Sequence, residues 1–236
     1  MSELKLRPPK TYSRNGTLLS LFPGRISSRS YFPASPIFGS AKYGLGKPVK
    51  KDRFRVRTAR TFVPLTCSSR RRILCSMNQE ILTRAWEVLQ DAYQAQMEGD
   101  YDRAVELYQS SLELHPTAEA HTFLGWTYHF QGKLTDAIAE CKRAIEIDPD
   151  FGNPYNDIGA YMIELGQFDE AIPWLQQAVE ARRYEPRHFP HYNLGRAYLG
   201  KEMYGQAMRS FQEAISVEPR YSLARQALES LRRMVN

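Results

Sequence analysis

The chain of 236 residues carries a formal net charge of +6, and that figure averages two opposite regions. Residues 1–76 hold 17 Lys and Arg against Glu3 and Asp52, a balance of +15, whereas residues 77–236 hold 15 basic side chains against 24 acidic ones, or −9, which argues against one uniform globule. Cys67, Cys75 and Cys141 make neither an even disulfide framework nor a Cys-x-x-Cys pair, and no apolar run approaches the roughly 20 residues that span a bilayer. The expectation is a cytoplasmic protein of a reducing compartment, neither exported nor membrane-embedded.

The first 76 residues scatter Pro, Gly and Ser among arginines, as in Arg7-Pro8-Pro9, Phe22-Pro23-Gly24 and Ser27-Ser28-Arg29-Ser30, and hold no helical or strand period for long. Such a segment cannot bury enough apolar surface to offset its chain entropy, so residues 1–76 are predicted to be a disordered basic tail. Its best local candidate for structure is a short strand over Arg53-Phe54-Arg55-Val56 and Thr61-Phe62-Val63, with no partner strand nearby. Several readings of the tail stand side by side. Lys50-Lys51-x-Arg53-x-Arg55-x-Arg57 and Arg70-Arg71-Arg72, with Tyr43, Phe54 and Phe62 interleaved, suit contact with nucleic acid, the cations on phosphates and the rings on bases. The Arg-rich, Ser-bearing, acid-poor composition also suits a cleaved transit peptide and import into an organelle. It equally fits a solvated charge run without a partner, or sequence upstream of a start at Met77.

From Asn78 good helix formers take over, and Pro and Gly retreat to turns. Ala92-x11-Ala104-x6-Ser111 aligns with Gly125-x11-Ala137-x6-Ala144, Gly159-x11-Ala171-x6-Ala178 and Gly195-x11-Ala207-x6-Ala214, with starts 33, 34 and 36 residues apart. A unit of that length is a helix pair that must stack on its neighbours to bury a core. The small residue of each first helix is expected to admit the second helix at its own small residue, Gly125 against Ala137 for example, with Ala171 likewise beside Gly159. Gly99, Gly132 and Gly166 suit the tight turn inside each pair. The fourth unit has Glu202 there and Gly200 two residues earlier, so a different turn is expected. Pro116, Pro149 and Pro219 end second helices. Two extra residues around Arg182-Arg183-Tyr184-Glu185-Pro186 lengthen one junction, and Tyr221 to Met234 reads as a closing helix. The predicted fold is an all-α solenoid of about four antiparallel hairpins, over about 85–117, 118–151, 152–187 and 188–221, with a cap over 222–235.

Leu124-Gly125-x-x-Tyr128, Asn193-Leu194-Gly195-x-x-Tyr198 and Ala207-x3-Phe211 fall in phase, and on these motifs residues 85–219 resemble the tetratricopeptide repeat family. Departures are Ala92 for the first Gly, Cys141 and Leu175 for the second-helix aromatic, and Arg183 where a terminal Pro belongs. The resemblance implies a non-catalytic adaptor whose first helices line a concave groove for an extended or helical segment of another protein.

Candidates for chemistry have simpler explanations in the sequence. His188-x-x-His191 is interrupted by Pro190 and has no third ligand nearby, and His121 and His191 share a packing position. Cys141 stands where a core aromatic belongs. Asp100/Asp102 and Asp169/Glu170 sit at hairpin turns, where acids favour the positive helix end. No enzyme activity, cofactor or metal is expected.

First-helix positions facing away from the second helices, counted in phase with the small residues, give the predicted groove. They are Trp86, Leu89 and Tyr93 in unit one and Phe123, Trp126, His129 and Phe130 in unit two. Asn153, Asn156 and Asp157 follow in unit three, then Tyr192, Asn193 and Arg196 in unit four. The groove starts aromatic and becomes polar. Some members of the resembling family clamp C-terminal carboxylates of heat-shock chaperones with Lys, Arg and Asn. The matching residues here are Leu89, Tyr93, Phe123, Asn153 and Asp157; four lack the donors a clamp uses and Asp157 repels a carboxylate, so no chaperone-tail binding is expected.

The charge division generates a first test. A chain beginning at Met77 is expected to be helical by circular dichroism and to melt cooperatively near the midpoint of the full chain; a large loss of stability would move the boundary. A nucleic-acid role for the tail requires binding that falls steeply with salt in the full chain and vanishes on truncation.

Overall fold

The computed structural model of the protein describes residues 67–235. The tail as far as residue 66, including the short strand expected within 53–63, lies outside the described residues. No Pro or Gly interrupts the sequence between Pro64 and Gly99, and a single helix, α1, occupies Cys67–Glu98. It therefore begins ten residues ahead of Met77, where the composition shifts.

The remaining helices are α2 (Tyr101–Leu114), α3 (Ala118–Phe130), α4 (Leu134–Ile147), α5 (Gly152–Glu164), α6 (Phe168–Glu180), α7 (His188–Gly200), α8 (Tyr204–Val217) and α9 (Ser222–Val235). Each odd helix from α1 to α7 pairs with the even helix that follows, the pairs stack in order, and α9 closes against α8. The odd helices also meet one another, α3 touching α1 and α5, and α5 touching α7, so they form a continuous inner layer. Among the described residues the protein is an all-α solenoid of four hairpins and a closing helix, and no helix is long and apolar enough to cross a membrane.

One contact sets the closeness of each pair. A Cβ on Gly159 would lie 2.5 Å from Leu175, and one on Gly195 would lie 2.4 Å from the Phe211 ring. In the first pair Ala92 and Tyr108 hold the same two places, both fully buried. The small residue is thus met by the large side chain sixteen positions on. This corrects the expected meeting of small residues in the third pair, where the nearest atoms to Gly159 all belong to Leu175, not Ala171; in the second pair Gly125 does meet Ala137. In the second pair, where slim Cys141 takes the large residue's place, the Ala137 carbonyl lies 3.1 Å from a Cβ on Gly125 and the Cys141 sulfur 3.2 Å.

The turns repeat as well. Gly99, Gly132 and Gly166 have φ of 86°, 76° and 74°, and Glu202 adopts the same left-handed region at 60°. In the third turn Gly166 and Gln167 donate to the carbonyls of Ile163 and Met162; in the fourth, Glu202 and Met203 donate to those of Leu199 and Tyr198, each at 2.9 Å. The fourth turn therefore does not differ, contrary to expectation. A residue with a Cβ stands where glycine is favoured, at a cost of roughly 1 kcal/mol. Gly200 has a separate use, since a Cβ there would lie 2.5 Å from the Phe168 ring of the preceding pair.

The lengthened junction after α6 folds back on the start of α5. Gly152 donates to the Arg183 carbonyl and Arg183 to that of Asp150, both at 3.0 Å, making a parallel bridge at Phe151. The Arg183 guanidinium lies 4.4 Å from the Phe151 ring centre and pairs with Glu119 at 2.9 Å and Asp148 at 2.7 Å. Tyr184 is buried beside Tyr155 and Ala178. At the other end of the array, α1 carries exposed Glu87, Asp91 and Gln94 at the positions where α3 buries Ala120, Leu124 and Thr127. The face that a preceding repeat would cover is polar.

Two substitutions test this packing. Gly159→Leu is expected to destabilise by about 2 kcal/mol or more through overpacking against Leu175, and to show as partial unfolding centred on the third pair in hydrogen exchange. Glu202→Gly is expected to stabilise by about 1 kcal/mol in chemical denaturation, while Gly166→Ala, whose Cβ meets nothing within 4 Å, loses a similar amount from backbone strain alone.

Candidate functional site

The inner layer divides the expected groove residues into two sets. Leu89, Phe123, Trp126, Asn156, Asp157, Tyr192 and Asn193 are buried. Trp86, Tyr93, His129, Phe130, Asn153 and Arg196 are half-buried and supply the accessible surface. The physical reason is that a side chain turned away from its own second helix can still be covered by the first helix of the next pair. Position within a repeat does not reveal that cover.

The buried set makes the joints between pairs. The residue after each small position meets the residue two places before the small position of the next pair. At the first joint this is Tyr93 against Phe123, ring centres 5.7 Å apart. At the second joint the Trp126 indole N–H donates to Asp157 Oδ2 at 2.5 Å. At the third, Ala160 leaves the place empty of polar atoms, and the adjacent Asn156 accepts from Asn193 Nδ2 at 2.9 Å. Asn156 also donates to Asp157 Oδ1 at 3.3 Å, and Arg196 donates to Asn193 Oδ1 at 3.0 Å. A polar chain thus runs beneath the inner surface from Trp126 on α3 to Arg196 on α7. His129 adds an edge to the second joint, bonding Glu164 at 3.1 Å and stacking on Tyr161 with ring centres 4.8 Å apart.

Asp157 is 5 % exposed, and burial pushes its carboxyl up to about 7. The bonds from Trp126 and Asn156 and the nearby His129 oppose that rise without cancelling it. Sequence reasoning placed Asp157 on the groove but missed its role in the joint. It shares its repeat position with Phe123 and Asn193, which the structure buries as well. Also unforeseen was Glu140, buried on α4, which meets His121 Nδ1 at 2.7 Å and pairs with Arg143.

The remaining reactive side chains are structurally committed. Cys141 is wholly buried against Gly125, and burial pushes its thiol well above the ordinary value, suppressing the thiolate that nucleophilic chemistry needs. His191 meets Glu213 at 3.1 Å, while His188 packs on Phe189 and Tyr221. Among the described residues no group of three or more His, Cys, Asp or Glu is placed to hold a metal ion.

Comparison with known proteins agrees with this geometry. Residues 90–150 and 150–217 each match a tetratricopeptide repeat family profile. Over 105 residues the chain is 30 % identical to small glutamine-rich tetratricopeptide repeat-containing protein 2 of Mycosarcoma maydis, covering 44 % of this chain and 30 % of that one. Over 83 residues it is 30 % identical to heat shock protein STI1 of Saccharomyces cerevisiae, covering 34 % and 14 %. The chain thus spans under a third of the length of these relatives. Among solved structures, PilF of Pseudomonas aeruginosa superposes with a TM-score of 0.60 at 21 % identity, covering 65 % of this chain and 68 % of that one. A MamA structure gives a TM-score of 0.54 at 24 % identity, covering 61 % and 83 %. With the repeat spacing, the inner layer of odd helices and both profile matches in agreement, the chain belongs to the tetratricopeptide repeat family.

Proposed function

We propose that the protein is a non-catalytic adaptor that holds a segment of a partner protein on the inner layer of its first two pairs. The observation that carries this reading is the half-buried aromatic set Trp86, Tyr93 and Phe130, with exposed Met97, on one stretch of α1 and α3. Large rings with partial cover anchor interfaces at low cost in side-chain entropy, and methionine adapts to varied apolar partners. Towards the fourth pair the accessible residues become Asn153 and Arg196, which suit polar backbone or side-chain contacts. Buried Leu89, Phe123, Trp126, Asn156, Asp157, Tyr192 and Asn193 shape that surface from below and have little area to offer a partner.

Chaperone C-terminal tails are not among the partners proposed. Leu89 and Phe123 are apolar and buried, and Asp157 is an acid where a carboxylate ligand would need a donor. A nucleic-acid role is the second reading; it rests on the +15 balance of residues 1–76 and assigns recruitment, not binding, to the repeats.

The test is to isolate a partner on the full chain, map the bound segment as a synthetic peptide, and titrate it against the parent, Trp86→Ala, Tyr93→Ala, Phe130→Ala and Arg196→Ala. Loss of about 2 kcal/mol, roughly 30-fold in Kd, in at least one aromatic variant at unchanged melting temperature is the expected result. Parent-like affinity in all four would move the partner to the outer face or the tail.

A further inference from the structure

The two ends of the stack carry opposite charge. Residues 77–117, which include the first pair, hold eight acids against Arg84 and Arg103, a balance of −6. Residues 118–187 spread the same balance over two pairs, with twelve acids against six bases. Residues 188–235 hold seven bases against four acids, or +3.

At the first end the charge is ordered. Spacings of seven, four and seven put Glu80, Glu87, Asp91 and Glu98 on one stripe of α1, and all four are exposed. Arg84 shares that stripe and meets Glu87 at 3.5 Å. Glu87 and Asp91 stand at the places where α3 has buried Ala120 and Leu124.

The other end is closed by a helix that keeps the register of a fifth first helix. Ala224, Leu228 and Leu231 on α9 repeat the places of Pro190, Leu194 and Ala197 on α7, and all six are buried. Glu229 then falls at the place of Gly195, where α7 admits the Phe211 ring of its second helix. On α9 that place is exposed, and exposed Arg225, Arg232 and Arg233 share its face at spacings of three, four and four residues.

We propose that the protein associates head to tail with further copies of itself, the arginine face of α9 on one copy lying on the acid stripe of α1 on the next. Two acid stripes repel each other, as do two arginine faces, so only unlike ends pair. Such a contact leaves one end of each sign available and can be repeated, giving open chains of copies in place of a closed dimer. Each charge pairing is exposed and individually weak, so the association is reversible, depends on concentration and is reduced by salt. It does not depend on the groove reading, because Trp86, Gln90, Tyr93 and Met97 follow a separate stripe of α1.

Sedimentation equilibrium of the full chain tests this. At about 0.02 M salt the weight-average mass of the parent is expected to rise with concentration past that of two copies, and at about 0.5 M salt to fall to that of one. Arg225→Glu with Arg232→Glu is expected to give one copy that no longer associates, and Glu87→Lys with Asp91→Lys another. Mixed in equal amounts the two variants are expected to associate again, because the unaltered acid stripe of the first meets the unaltered arginine face of the second. Restored association also shows that both variants are folded. A parent that stays single at low salt, a mass that levels off at two copies, or variants that remain apart on mixing while both keep the parent's melting temperature overturns the proposal. So does association that survives Arg225→Glu with Arg232→Glu, which assigns the acid stripe to a cationic surface other than α9.

Discussion

The two helices of each pair can approach only as closely as one facing contact allows, and the whole array is built on that distance. Gly159 accepts Leu175 and Gly195 accepts Phe211 because a Cβ would overlap them. The close approach makes the pair a thin slab. Thin slabs stack with their first helices in contact, and that contact makes an inner layer possible. Where the small residue is Ala92, the facing ring of Tyr108 is still fully buried, and its hydroxyl donates to Gln96 at 2.6 Å, which ties α2 to α1.

The joints between pairs follow a single geometry with different chemistry. Aromatic rings close the first, a buried acid with an indole the second, paired amides the third. The first two joints draw on the same two places in the repeat; at the third, where Ala160 is small, Asn156 one turn earlier meets Asn193 instead. The polar chain from Trp126 to Arg196 rewards one stacking register, since a slip would leave several buried donors and acceptors without partners. Aromatic packing at the first joint imposes no such demand and can tolerate adjustment of α1 on α3.

Much of this was legible in the sequence because it is local. Spacing of small residues located the hairpins, and the glycines at 99, 132 and 166 located three turns. Glu202 hid the fourth turn, since backbone hydrogen bonds there impose a conformation its side chain does not favour. The groove was legible as a set of helix faces but not as a surface. Whether Trp126 or Trp86 meets solvent depends on the neighbouring pair, and no pattern inside one repeat reports that. The Arg183 contacts were equally hidden, because Glu119 lies 64 residues away in sequence.

A stack of repeats ordinarily passes force and fluctuation from each unit to the next and no further. Arg183 strengthens one such link, that between the second and third pairs. From the exit of the third pair it reaches Asp148 at the end of α4 and Glu119 at the start of α3, while its backbone bridges to the entry of α5. The ion pairs are partly exposed and individually weak, but the stacked guanidinium and the two backbone bonds act at one spot. A load applied at the C-terminal end is therefore shared by the second and third pairs as one body. The junction after α6 thus serves less as a spacer than as a strap, fastening the exit of one pair to both helices of the pair before it.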